Sequence, residues 1–328
     1  MFLTIVLLIT GLILLVYGSD RLVYGAAVFS RSLKIPPFII GLVIMGIGTS
    51  LPELMVSVTA ILDGMPDMAV GNAIGSNITN LLLITGAAAF IRPITVKSDI
   101  LRRELPLMLL ITAFAGYLIS NSYLSRMDGI LLSLSAFFFI ALMIKMTALS
   151  QYDGVDSYTQ ERDSELPVEG NKGIALLWVL LGLIILPIST RMVIDNAIVI
   201  ARIYGISELI IGLTILAVGT SLPELATAIA AAIKGENDMA MGNIIGSNIF
   251  NVSLVLGIPA ILSPSVISPD AFSRDFWVMM AASVLFTVFC LGRKHRLNRL
   301  NGILLLGCFI AYFIVLFISN YYCTELWY

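Results

Sequence analysis

The sequence predicts an all-α polytopic membrane protein: ten transmembrane helices arranged as two inverted five-helix repeats. Three observations lead there. The chain is too apolar and too poor in charge for a water-facing surface. Its apolar residues fall in ten long runs. Its two halves repeat each other at a constant offset.

Of 328 residues, 59% are hydrophobic and 12% charged, with a mean hydropathy of +0.99. A soluble domain is about 45–50% apolar and about 25% charged. A soluble globular enzyme and a disordered chain are therefore excluded. A net charge of −2 and a pI near 5.5 leave no basic footprint for nucleic acid. The runs are continuous rather than alternating, which excludes a transmembrane β-barrel.

A spanning helix takes about 20 residues. The ten apolar runs are residues 2–30, 36–62, 68–91, 103–120, 127–146, 173–203, 207–233, 238–262, 274–292 and 300–319. The first run has no positive segment before it and no clear small-residue cleavage site before Asp20, so it reads as a retained helix. The longest polar stretch, 151–172, divides a first five-helix repeat (1–150) from a second (173–328) and reads as a linker. Cys290, Cys308 and Cys323 fit neither a metal spacing nor a disulfide framework. His295 lies in a basic run, 293–296, that reads as a solvated loop.

Residues 41–80, GLVIMGIGTSLPELMVSVTAILDGMPDMAVGNAIGSNITN, align with residues 212–251, GLTILAVGTSLPELATAIAAAIKGENDMAMGNIIGSNIFN. The offset is 171 without a gap, and 23 of the 40 positions are identical. The register continues through Asp99 and Asp270, Arg103 and Arg274, and Glu104 and Asp275. This is a fused duplication. Five spans per half is an odd number, so the second half enters the membrane upside down. Secondary transporters use such inverted repeats, with their sites near the midplane where the repeats meet.

Charge sets the orientation. Let side B be the face reached at the end of the first span. Fourteen of the nineteen Lys and Arg, among them Arg31, Lys97 and Lys234, fall on side B. Three fall on side A, namely Arg126, Arg202 and Arg274, while Arg21 and Arg191 lie inside spans. The positive-inside rule makes side B cytoplasmic, with the 151–172 linker, and puts both termini outside.

The repeated GTSLPE holds Glu53 and Glu224, each near the middle of an apolar run. A carboxylate at that depth costs about 2.5 kcal/mol or more unless it faces water or a cation. Matching positions of an inverted repeat should bring the two acids together, as a cation site or as a structural hydrogen-bonded pair. Pro52 and Pro223 lack an N–H and clash with the carbonyls of Gly48 and Gly219, so each helix should break in the GTS turn. Broken backbone at this depth is tolerated where it lines a cavity or is packed in protein. Thr49, Ser50, Thr220 and Ser221 add hydroxyl oxygens, and Gly46 shares a face with Ser50 and Glu53.

In the second motif, GNxIGSNIxN, Asn72, Ser76 and Asn80 form a polar stripe echoed by Asn243, Ser247 and Asn251. Gly71 with Gly75, and Gly242 with Gly246, are GxxxG pairs that predict close helix packing. Two carboxylates among hydroxyl, amide and carbonyl oxygens suit a hard cation such as Ca²⁺ or Na⁺. Transition metals would prefer His or Cys, and neither stands near these motifs.

At these residues the chain resembles the cation/calcium exchanger superfamily, specifically prokaryotic sodium/calcium exchangers; paired GTSLPE and GSNIxN are that group's two α-repeats. The resemblance covers essentially the whole chain. It implies a ten-helix antiporter, not an enzyme, that exports Ca²⁺ against inward Na⁺ by alternating access, without a cofactor. By that likeness Glu53 and Glu224 hold Ca²⁺ together with the carbonyls of Thr49 and Thr220. One outer Na⁺ position maps to Ser76, the Ala217 carbonyl, Ser221 and Glu224. The inner one maps to the Gly46 carbonyl, Ser50, Glu53 and Ser247, and a middle position adds Asn80 and Asn251. Many such exchangers carry Asp where this chain has Asn251, which leaves this site one acid short.

The expected partners are Ca²⁺, Na⁺ and membrane lipid, with no nucleic acid, and the chain is expected to work as a monomer in a prokaryotic inner membrane. Proton-coupled exchange is the alternative within transport. An intramembrane enzyme using paired acids would leave the repeated hydroxyl and amide oxygens without a role. A passive channel usually takes its pore from a ring of subunits, whereas this duplication supplies a site within one chain.

Overall fold

The computed structural model describes residues 2–33, 35–98, 100–152, 171–204, 217–292 and 295–325. Asp99, most of the linker and the start of the seventh run lie outside them. Helix occupies the described part of each of the ten apolar runs. In the first half these are α1 (Phe2–Leu33), α2 (Pro37–Leu62), α3 (Pro66–Ile91), α4 (Ile100–Glu104 continuing as Leu105–Ile119) and α5 (Arg126–Tyr152). In the second half they are α6 (Lys172–Ile203), α7 (Ala217–Thr220 then Leu222–Lys234), α8 (Asn237–Leu262), α9 (Ala271–Leu291) and α10 (Arg299–Glu325). Among the described residues, eight are long and apolar enough to cross a membrane by themselves. The exceptions are α4, which opens with Arg102, Arg103 and Glu104, and α7, whose first part is outside the described residues.

The outer faces expose Ile13, Phe138, Ile188 and Ile310. Such residues can face hydrocarbon in every helix because the backbone polar groups are satisfied within it. α3 and α8 occupy the middle, and α8 is buried along nearly its whole length. The first-repeat α2 packs against the second-repeat α8 through small residues. A Cβ on Gly246 would lie 2.7 Å from the Leu42 carbonyl, and one on Gly242 would strike the Phe38 carbonyl. The GxxxG expectation thus holds at Gly242 and Gly246. For Gly71 and Gly75 the equivalent partners, 209 and 213, lie outside the described residues.

α1 and α6 lie against each other. Gly11, Gly18 and Gly25, spaced by seven, put one bare face of α1 on α6. A Cβ on Gly25 would meet the Ala175 carbonyl at 2.6 Å, and one on Gly182 of α6 would meet Leu22 at 2.7 Å. Each helix has 32 residues, or about 48 Å at 1.5 Å per residue. A hydrocarbon core of about 30 Å accommodates such a length by tilt.

Two short ribbons escape sequence reading, because two-residue strands carry no periodicity. β1 (Ile94–Thr95) pairs antiparallel with β4 (Arg296–Leu297), and β2 (Tyr123–Leu124) pairs with β3 (Ser265–Val266). Each ties a loop of one repeat to a loop of the other. β1 and β3 are related by the offset of 171, so the ribbons cap the two ends of the molecule symmetrically.

The ion pairs are not symmetric. On side B, Arg31 meets Glu236 at 2.9 Å, Lys97 meets Asp238 at 2.7 Å and Lys234 meets Asp20 at 2.6 Å. The side A counterpart of the second is a hydrogen bond, Ser268 N donating to Asp67 Oδ1 at 2.6 Å.

Candidate functional site

Both motif helices break where proline predicts. The first part of α2 ends at Thr49, Ser50 turns with φ −84° and ψ 3°, and the helix restarts at Leu51. In α7 the turn is Ser221, with φ −89° and ψ 10°, between Thr220 and Leu222. Ser50 N donates to the Gly46 carbonyl at 3.2 Å, so the chain turns without unravelling. Pro52 and Pro223 have no N–H to give the carbonyls of Gly48 and Gly219. Glu53 and Glu224 fall in the first turn of the restarted helices, the end where partial positive charge favours an acid.

The two acids meet across the repeats. Ser50 Oγ donates to Glu224 Oε1 at 3.1 Å, and Ser221 Oγ donates to Glu53 Oε1 at 3.2 Å. Both carboxylates are buried, and no Lys, Arg or His pairs with either among the described residues. The second oxygen of each, Oε2, has no protein partner among those residues. Two acids in so dry a place are either protonated or neutralised by bound cations, since an uncompensated buried charge is too costly to keep.

The first asparagines of the GNxIGSNIxN stripes brace this centre. Asn72 Nδ2 donates to the Glu53 carbonyl and to Ser57 Oγ, both at 2.9 Å. Asn243 accepts from Thr49 Oγ1 at 3.3 Å and donates to Thr227 Oγ1 at 3.1 Å. Thr227 Oγ1 in turn donates to the Pro223 carbonyl at 2.8 Å, with the Glu224 carbonyl 3.1 Å away. The first asparagine of each stripe therefore holds the broken helix in place. Ser76, Asn80, Ser247 and Asn251 are buried further along. The amide groups of Asn80 and Asn251 and the hydroxyl of Ser247 find no protein partner among the described residues. Among them, Asn80 Oδ1, Asn251 Oδ1 and Ser247 Oγ are buried oxygens with lone pairs to spare. Thr49, Thr220, Ser221 and Ser50 are buried at the two breaks, and Gly46 and Ala217 open the short helices just before them.

Sequence reading missed two features. Asn80 and Asn251 sit in π-helical turns, Thr79–Ile84 and Asn251–Val255. Such turns widen a helix and are frequent at functional sites, but they leave no compositional mark. Asn77 Nδ2 also donates to the Asn248 carbonyl at 3.0 Å, stapling α3 to α8 at equivalent positions. The identical SN dipeptides of the two motifs were the available signal.

Comparison with known proteins agrees with this architecture. The chain is 51% identical to the inner membrane protein YrbG of Escherichia coli over 317 residues, covering 97% of this chain and 98% of that protein. It is 30% identical to the sodium/calcium exchanger MaX1 of Methanosarcina acetivorans, covering 95% of this chain and 97% of that one. A solved structure of the sodium-calcium exchanger NCX_Mj superposes with a TM-score of 0.81 at 31% identity, covering 94% of this chain and 97% of that one. A family model described as sodium/calcium exchanger protein matches residues 3–145 and 174–318, one stretch per repeat, and the chain accordingly belongs to the sodium/calcium exchanger protein family.

Proposed function

We propose that this protein is an antiporter that exchanges Na⁺ for Ca²⁺ across a prokaryotic inner membrane, with the Glu53–Glu224 centre as its ion site. One observation carries this reading: two buried carboxylates, hydrogen-bonded crosswise between the repeats, have no cationic side chain paired with them among the described residues. Their formal charge of −2 matches one Ca²⁺. Oxygen-only surroundings favour a hard cation over a transition metal.

In the site we propose, Ca²⁺ lies between Glu53 and Glu224 with the Thr49 and Thr220 carbonyls. Na⁺ takes flanking positions, one at Ser76, Ser221, Glu224 and the Ala217 carbonyl, the other at Ser50, Glu53, Ser247 and the Gly46 carbonyl. Asn80 and Asn251 supply a neutral middle position. Two Na⁺ would balance the acids. A third would leave the loaded site at +1, so a potential of 100 mV would add about 2.3 kcal/mol to Ca²⁺ expulsion.

The long helices α1 and α6 carry neither motif and touch each other along a glycine face. They are the elements suited to slide as a pair across the motif helices and open the site to each side in turn. The test is Ca²⁺ uptake into vesicles under imposed gradients: an outward Na⁺ gradient should drive uptake, and a proton gradient alone should not. Uptake driven by protons and indifferent to Na⁺ would assign proton-coupled exchange instead.

A further inference from the structure

We propose that Asp63 and Arg191 form an ion pair that latches side A in the alternate conformation, as Asp20 and Lys234 latch side B in this one. The proposal rests on the alternating-access reading above. Here Asp20 of α1 meets Lys234, the last residue of α7, at 2.6 Å, with the side chains 44% and 29% exposed. Inverted repeats exchange conformations when the site changes sides, so each contact on one face has a partner contact on the other, made in the other state. Applying the offset of 171, Asp20 aligns with Arg191, and Asp63 aligns with Lys234. Both signs are reversed together, and the aligned pair is again attractive. Charges serving only to solvate a surface have no reason to change sign in step.

The structure carries the asymmetry such a latch requires. α1 packs along α7 on side B, whereas α6 does not pack along the second half of α2. Arg191 is 86% exposed and, among the described residues, its ion pair is with Asp195 of its own helix, at 3.6 Å. Asp63 is exposed and has no ion pair among the described residues. Asp63 also caps the C-terminus of α2. That end of a helix repels a carboxylate, whereas it favours the lysine at the aligned end of α7. The arriving guanidinium would relieve that repulsion. The second side B pair, Arg31 with Glu236, has no such counterpart, because position 65 is Met where its mate is Glu236. Two ion pairs thus hold α1 on side B, where the aligned positions on side A offer one.

The experiment compares Asp63→Lys, Arg191→Glu and the double reversal in reconstituted vesicles, reading Na⁺-dependent Ca²⁺ exchange. A pair this exposed shifts an equilibrium about 1.5- to 5-fold. Each single reversal should slow exchange by about that factor, and the double reversal should restore the unmodified rate. An independent arm places Asp63→Cys and Arg191→Cys in a background with Cys290, Cys308 and Cys323 replaced by Ser. Oxidation should crosslink the two positions and stop exchange, and reduction should restore it. Exchange by the unmodified protein combined with no rescue in the double reversal, or no crosslink between 63 and 191, overturns the latch. Absence of Na⁺-dependent Ca²⁺ flux in the unmodified protein overturns the exchange reading instead.

Discussion

Ser50 donates to Glu224 while Ser221 donates to Glu53, so each serine serves the acid of the opposite repeat. The two halves are joined at the site itself and not merely packed beside each other. Removing one hydroxyl should loosen one side only. Ser50 belongs to a proposed Na⁺ position but not to the Ca²⁺ position. Ser50→Ala should therefore raise the Na⁺ concentration for half-maximal exchange about twofold to tenfold, the worth of one hydrogen bond. The half-saturating Ca²⁺ should change less. An equal loss for both ions, measured in the same vesicles, would place Ser50 elsewhere.

The amide at 251 gives a prediction about protons. Asn251 is buried and its side-chain atoms have no protein partner among the described residues. An amide ligates through its carbonyl but cannot take up a proton. Asn251→Asp should keep the fold and add a pH dependence that the parent protein lacks. Superimposable pH profiles of Ca²⁺ flux for the two proteins would mean that residue 251 does not face the ions.

Packing between α2 and α8 should tolerate no added methyl. Gly246→Ala puts a Cβ 2.7 Å from the Leu42 carbonyl, and such overpacking costs about 1–3 kcal/mol. Gly307→Ala, where nothing lies within 4 Å, serves as the control. Thermal unfolding in detergent should drop for the first and stay level for the second.

Orientation is testable by labelling. The charge count predicts that a cysteine at 157 reacts from the cytoplasm and a tag at Tyr328 from outside. Labelling of position 157 from outside intact cells would reverse the assignment. Arg31, Lys97 and Lys234 of side B pair with Glu236, Asp238 and Asp20.

Much of this molecule is legible in its sequence. Hydrophobic runs located the ten helices because lipid demands length and apolarity, and the two prolines located the breaks because a missing N–H is a covalent fact. The duplication marked Glu53 and Glu224 as the acids that the fold buries together. What stayed hidden depends on distance rather than composition. The serine–glutamate cross, the asparagine braces at 72 and 243, the π-turns beneath Asn80 and Asn251, and the two-residue ribbons involve partners far apart in the chain or single-turn backbone changes. The glycine face of α1 lay in plain view at 11, 18 and 25, but only the fold shows that α6 lies against it.

The most direct measurement is Na⁺-gradient-driven ⁴⁵Ca²⁺ uptake by vesicles containing the unmodified protein, Glu53→Gln or Glu224→Gln, at matched membrane insertion. Breaking one side of a buried charge arrangement costs about 3–5 kcal/mol. Either substitution should therefore reduce uptake about 100-fold or more while the unmodified protein transports. Near-normal uptake in either variant would contradict the assignment of these two acids as the ion site.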